Sequence, residues 1–237
     1  MAGFIETDGL RAYVSEPERR SRGGVLVLPA VVGIGDHIED VCGWINKAGL
    51  TAVAWDPYSA YPADQPVEER YPIGLHKLED EPCRREQIKL VDYMQKELGL
   101  DHIGTMGFCM GGRQVFNLCA GDHRIRACVA YHPSIDAEPP ARHLDAVALA
   151  REVPCPVQVM YPGRDHITSN ATFKALRAAL ESRSAPTFTY VFPDSDHGFT
   201  EGYSPVSRVD RRDNPANPAA KALAWPQTAA LFQSCLS

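Results

Sequence analysis

Ile103-Gly104-Thr105-Met106-Gly107-Phe108-Cys109-Met110-Gly111-Gly112, followed by Val115, Phe116 and Leu118 at helical intervals, is the stretch whose reading decides the fold. An apolar strand runs into a tight glycine turn and leaves it as a helix, with Cys109 between the two. That is the context of a nucleophile elbow, here with cysteine where serine is commoner. The central residue of an elbow has a strained backbone, so residues two positions away must lack a Cβ. Gly107 and Gly111 meet that condition. The turn aims the side chain over the carboxyl edge of the sheet and directs the Met110 amide and the helix N-terminus at the same spot. Both favour a thiolate and stabilise an oxyanion. The bland alternative is a small buried hydrophobe in a tight turn, and core packing does explain Cys42, Cys119 and Cys128, which sit in helix or strand patterns without the glycine frame.

The same strand-then-helix unit recurs on both sides. Residues 25–28 form an apolar run, followed by Pro29, a glycine-bearing loop and an amphipathic stretch over 36–47 that stops at Gly49. Residues 51–55 read as a second buried strand, ended by Asp56-Pro57-Tyr58. Four prolines and many charges mark 57–80 as a cap or lid over a site. Pro82 sits where a helix starts, and Ile88, Leu90, Val91, Met94 and Leu98 give that helix its apolar face. Strands are expected at 126–131, 157–161 and 188–192, with helices around 173–180 and 219–232, the last kinked or delayed by Pro226. Such alternation implies an α/β fold: a three-layer sandwich of the α/β-hydrolase type, with a mostly parallel twisted sheet and helices on both faces, in a single domain over 1–237.

Composition narrows the partners. With 24 basic against 30 acidic side chains and a net charge of -6, the chain has no positive field for a phosphate backbone or an anionic bilayer, so nucleic acid and membrane are not expected. The longest apolar stretch, 25–35, is broken by Pro29 and falls short of the ~18 to 20 residues of a membrane span. The first twenty residues are charged and lack an apolar core, which argues against a secretory signal and for a cytoplasmic protein. Seven irregularly spaced cysteines read as reduced thiols, and the absence of C-x-x-C and H-x-x-x-H pairs gives no metal site.

An activated thiol needs a base, and the base an orienting carboxylate; in this fold they follow in the order nucleophile, acid, base. Asp165, in the turn Pro162-Gly163-Arg164-Asp165 after the 157–161 strand, is the best acid. His197, in the loop Pro193-Asp194-Ser195-Asp196-His197-Gly198-Phe199 after the 188–192 strand, is the best base. All three lie on loops leaving the carboxyl ends of strands, where a parallel sheet builds its crevice. His166, His132, Asp194 and Asp196 are rival members of the triad. Tyr58, Tyr131 and His132, with Tyr61 and Tyr71, lie where they would contact substrate in that crevice.

Through Gly107-Phe108-Cys109-Met110-Gly111-Gly112, the turn from Gly163 to Asp165, His197-Gly198-Phe199, and Trp44 with the run from Gly49 to Tyr58, the chain resembles the dienelactone hydrolase family, cysteine-dependent members of the α/β-hydrolase fold. The resemblance implies hydrolysis of a small lactone or ester through an acyl-thioenzyme, without metal or organic cofactor, by a monomer or homodimer. It also implies the Val31 amide as second oxyanion donor, beside that of Met110. Two positions depart from the family pattern. Ala30 stands where the family has a glutamate that communicates with the thiol, and Glu201 where it has an arginine that grips a substrate carboxylate. Arg84, Arg85 and Arg164 are candidate replacement cations. The departures keep a second reading in play, a sensor that binds its ligand in a hydrolase pocket without turnover. A third, a peroxide-sensitive Cys109, lacks an evident resolving cysteine.

Overall fold

Alternation along the central strands assigns each helix to a face of one sheet. A computed structural model describes residues 2–19, 21–204 and 206–237. In chain order these form β1 (Ala2–Thr7), β2 (Leu10–Ser15), β3 (Gly23–Leu28), α1 (Asp36–Lys47), β4 (Thr51–Trp55), α2 (Val67–His76) and α3 (Asp80–Lys96). There follow β5 (His102–Phe108), α4 (Met110–Gly121), β6 (Ile125–Tyr131), α5 (Ala146–Ala150), β7 (Val157–Arg164), α6 (Asn170–Glu181) and β8 (Thr187–Asp196). The short β9 (Tyr203–Ser204) and β10 (Val209–Asp210), a 3-10 turn over Arg211–Asp213 and α7 (Ala216–Leu236) complete the chain.

Eight strands join in the order β1-β2-β4-β3-β5-β6-β7-β8. From β4 to β8 neighbouring strands run parallel; β1 and β2 add an antiparallel edge. Leu26, Leu28, Val53 and Trp55 point to one face and pack with α3, α4, α5 and α6. Val25, Val27, Ala52 and Ala54 point to the other and pack with α1 and α7. β3 is buried along its whole length because helices cover both sides. On the second face Trp44 of α1 meets Trp225 of α7 with ring centroids 5.2 Å apart, and the Lys221 ammonium lies 4.6 Å from the Trp44 ring. The fold is the expected α/β sandwich, and among the described residues no helix is long and apolar enough to cross a membrane.

Several elements differ from the sequence reading. The hairpin of β1 and β2 was not expected; it turns on Asp8 and Gly9, both at positive φ (48° and 74°). Within 57–80 the chain forms α2, entered from Pro66 and continuing across Pro72. α7 likewise runs across Pro226 and begins earlier than expected, at Ala216. β7 and β8 outlast their apolar runs, reaching Arg164 and Asp196, which pair in register. That extension places the residues which follow them side by side.

Candidate active site

Cys109 caps α4 at φ 54° and ψ -112°, a left-handed conformation that an ordinary side chain resists. Its amide donates to Tyr131 O (3.1 Å), while its carbonyl accepts from Arg113 N and Ser134 N (3.1 and 2.9 Å). The glycine frame is required by contact as well as by conformation. A Cβ at Gly107 would run into the Gly111 carbonyl, and one at Gly111 into that of Leu28. With these close approaches β5 turns directly into α4, leaving the sulfur partly exposed at the helix N-terminus.

Because Arg164 pairs with Asp196, the next residues on the two strands, Asp165 and His197, emerge as neighbours. His197 Nδ1 lies 2.9 Å from Asp165 Oδ2, both side chains being almost wholly buried. Asp165 is itself fixed, since its Oδ1 accepts from the Ile167 and Thr168 amides at 2.8 and 2.9 Å. Burial alone would lower the His197 pKa. Its charge interaction with Cys109 and its hydrogen bond with Asp165 outweigh burial and push it up to about 10, while the buried Nε2 has no hydrogen-bond partner among the described residues. Cys109, His197 and Val31 line one cavity of about 120 Å³, with Ala30, Tyr71, His166, Glu201 and Arg211 among the other walls.

The Val31 and Met110 amides have no hydrogen-bond acceptor among the described residues. The loop carrying Val31 is held from beneath. Tyr58 Oη donates to Val31 O; the Tyr58 amide donates to Asp56 Oδ1 (2.9 Å), and Arg11 of β2 bonds Asp56 Oδ2 (2.7 Å) and Tyr58 O (2.9 Å). A strand absent from the sequence reading thus supports the Val31 side of the pocket through one arginine.

Three residues expected to touch substrate are placed elsewhere. Tyr58 is fully buried under the Val31 loop. Tyr131 is buried, its hydroxyl 2.7 Å from Thr228 Oγ1 of α7, and it does not line the cavity. His132 is fully buried at φ 34°, its ring packed edge-on against His197 at 4.9 Å, and burial first, then the charges of His197 and His37, holds its pKa well below the usual histidine range. This side chain is turned inward and packs behind the His197 ring. Of the rival triad members, His166 is exposed on the cavity wall, while Asp194 pairs with Arg164 (2.8 Å) and Asp196 accepts from Asn214 (2.7 Å). None of Arg84, Arg85 and Arg164 lines the cavity: the first two pair with Glu81 and the third with Asp194. The cation that does line it, Arg211, comes from the 3-10 turn, where no periodicity or spacing signals its direction.

Comparison with known proteins comes to the same place. The family described as the dienelactone hydrolase family matches the chain over residues 10–236. An Escherichia coli K12 protein bearing the name "Putative carboxymethylenebutenolidase" is 25% identical over 217 residues, 86% of this chain and 80% of the relative. Among solved structures, one described as a "Putative Dienelactone Hydrolase" from Klebsiella pneumoniae superposes with a TM-score of 0.80 at 21% identity, covering 98% of each chain. A dienelactone hydrolase from Anabaena variabilis superposes with a TM-score of 0.72 at 14% identity, covering 100% of this chain and 98% of the other.

Proposed function

The chain belongs to the dienelactone hydrolase family, and on that premise we propose that it hydrolyses a small lactone or carboxylic ester through an acyl-thioenzyme on Cys109. The observation that carries this reading is that Cys109 and His197 line one cavity, with Asp165 on His197 Nδ1 and the buried Nε2 left without a hydrogen-bond partner among the described residues. His197 takes the thiol proton and the sulfur attacks the carbonyl carbon; the carbonyl electrons move onto oxygen, where the Met110 and Val31 amides receive them. Collapse of the tetrahedral adduct breaks the carbon–oxygen bond, and the imidazolium returns its proton to the leaving alkoxide. Water then attacks the thioester with His197 as base, releasing the acid and restoring the thiol. Asp165 keeps the imidazole in the orientation both half-reactions need.

A lactone or ester panel read by acid release tests the proposal. Cys109→Ala is expected to lower kcat/KM by about 10³-fold or more with the melting temperature preserved, as loss of a nucleophile does elsewhere. Full activity in Cys109→Ala removes the thiol from the mechanism. Saturable binding without product in the unmodified protein replaces the enzyme by a ligand sensor.

A further inference from the structure

Glu201 stands where three cavities meet. It lines the 120 Å³ space around Cys109, a 310 Å³ space toward the start of α1 and a 670 Å³ space toward α7. Arg211 lines the first and the third. The two side chains converge from different segments on Gly198, next to the candidate base. Glu201 Oε2 and Arg211 Nε lie 3.3 and 3.4 Å from the position a Cβ would occupy there. Arg211 Nε is buried and has no hydrogen-bond partner. Glu201 is bonded through its amide to Gly198 O (2.8 Å), and its carboxylate interacts with His197, Arg211 and Lys221 by charge without an ion-pair contact among the described residues. An acceptor and a donor, both with open valences, therefore face one small cavity.

This combination discriminates by chemistry. A substrate carboxylate is repelled by Glu201, an ammonium by Arg211, and a plain hydrocarbon leaves both groups desolvated without partners. A hydroxyl satisfies both, donating its proton to the carboxylate while its oxygen accepts from the guanidinium. Resting on the hydrolase reading above, we propose that Glu201 and Arg211 select lactones or esters carrying a neutral hydroxyl close to the scissile carbonyl, over carboxylate-bearing and unsubstituted ones. The small volume around Cys109 keeps that hydroxyl within a few bonds of the reacting carbon.

The test compares kcat/KM for γ-butyrolactone, its α-hydroxy derivative and a γ-lactone bearing a carboxylate, with p-nitrophenyl acetate as an activated reference. In the unmodified enzyme the hydroxylated lactone is expected to lead both others by about 10-fold or more, since a site built to bond a hydroxyl rejects analogues that lack it. Glu201→Gln and Arg211→Met are each expected to compress that ratio, read between lactones within each variant, and Glu201→Arg to turn the preference toward the carboxylate-bearing lactone. A mere structural role lowers all rates together and leaves the ratios intact. Equal kcat/KM for the three lactones in a protein whose activity depends on Cys109 overturns this inference alone. No turnover of any substrate, activated ester included, overturns the hydrolase reading and this inference with it.

Discussion

Cys109 keeps a positive φ because its neighbours leave no other path for the chain: Gly107 and Gly111 are each pressed against backbone carbonyls. Adding one methyl group there forces β5 and α4 apart. Gly107→Ala is expected to cost at least about 2 kcal/mol by overpacking, with loss of activity, measured by urea unfolding and the hydrolysis assay together. A second prediction concerns charge. Because the interactions with Cys109 and Asp165 hold the His197 pKa up near 10, blocking the sulfur with neutral iodoacetamide removes one of those two partners. The imidazole titration, followed by NMR, is expected to move down by at least about one pH unit; an unmoved midpoint shows that the sulfur does not face the ring. The places of Cys109, Asp165 and His197 after the ends of strands were legible because strand ends fix where such residues stand. The orientation of the residues beside them was not. His132 follows a strand as His197 does, but its positive φ sends it into the interior, and Tyr131 falls on the face that α7 covers. Arg211 belongs to a three-residue turn with no period to read.

Helix α4 carries the elbow and is buried from Met110 to Cys119, polar residues included. Arg113 on this helix pairs with Asp80 at the start of α3 at 2.7 Å, with side-chain exposures of 6% and 1%, and the other Asp80 oxygen accepts from Leu144 N (2.9 Å). The pair fastens two helices and a loop behind Cys109. Removing one partner strands a buried charge, so Arg113→Met alone is expected to cost about 3–5 kcal/mol in urea unfolding. The double variant Arg113→Met with Asp80→Leu recovers most of that loss, less about 1–3 kcal/mol for the orphaned Leu144 amide. A double variant no more stable than the single one refutes the charge-stranding account. At this scale the buried parallel strands were easiest to read, since apolar runs between helical periods allow few alternatives. The β1–β2 hairpin was harder, because β1 alternates between exposed and half-buried residues and never forms an apolar run. Asp8-Gly9 was its real signal. Prolines hid α2 and shortened α7, although both helices run through theirs.

Across the whole molecule, two faces of one sheet divide the labour. The first, with α3 to α6, buries the helix that follows Cys109; the second, under α1 and α7, packs against Cys109 itself and receives Tyr131. The α/β class followed from the alternation of strand and helix patterns alone, whereas the meeting of loops over the sheet depends on registers that no local pattern records. Burial and then the charge of Lys221 hold the His37 pKa down to about 3, and His132 is depressed as well. Both stay neutral in the fold, while the unfolded chain protonates them below about pH 6.5, so the unfolded state binds more protons and stability falls as pH drops through that value. Each group contributes up to about 1.4 kcal/mol per pH unit on that limb. His37→Gln is expected to flatten the fall in unfolding free energy between pH 6 and 4 relative to the parent, and an unchanged slope excludes His37 as a source. The Trp44–Trp225 contact between α1 and α7 has an optical consequence. Two indoles so close share their excited states and give a dichroic couplet, whereas Trp55, bonded to Glu86 on the opposite face, absorbs as a solitary chromophore. The unlabelled protein therefore carries separate spectroscopic reporters for its two helical layers, and a wavelength-resolved melt reads which layer comes away from the sheet first.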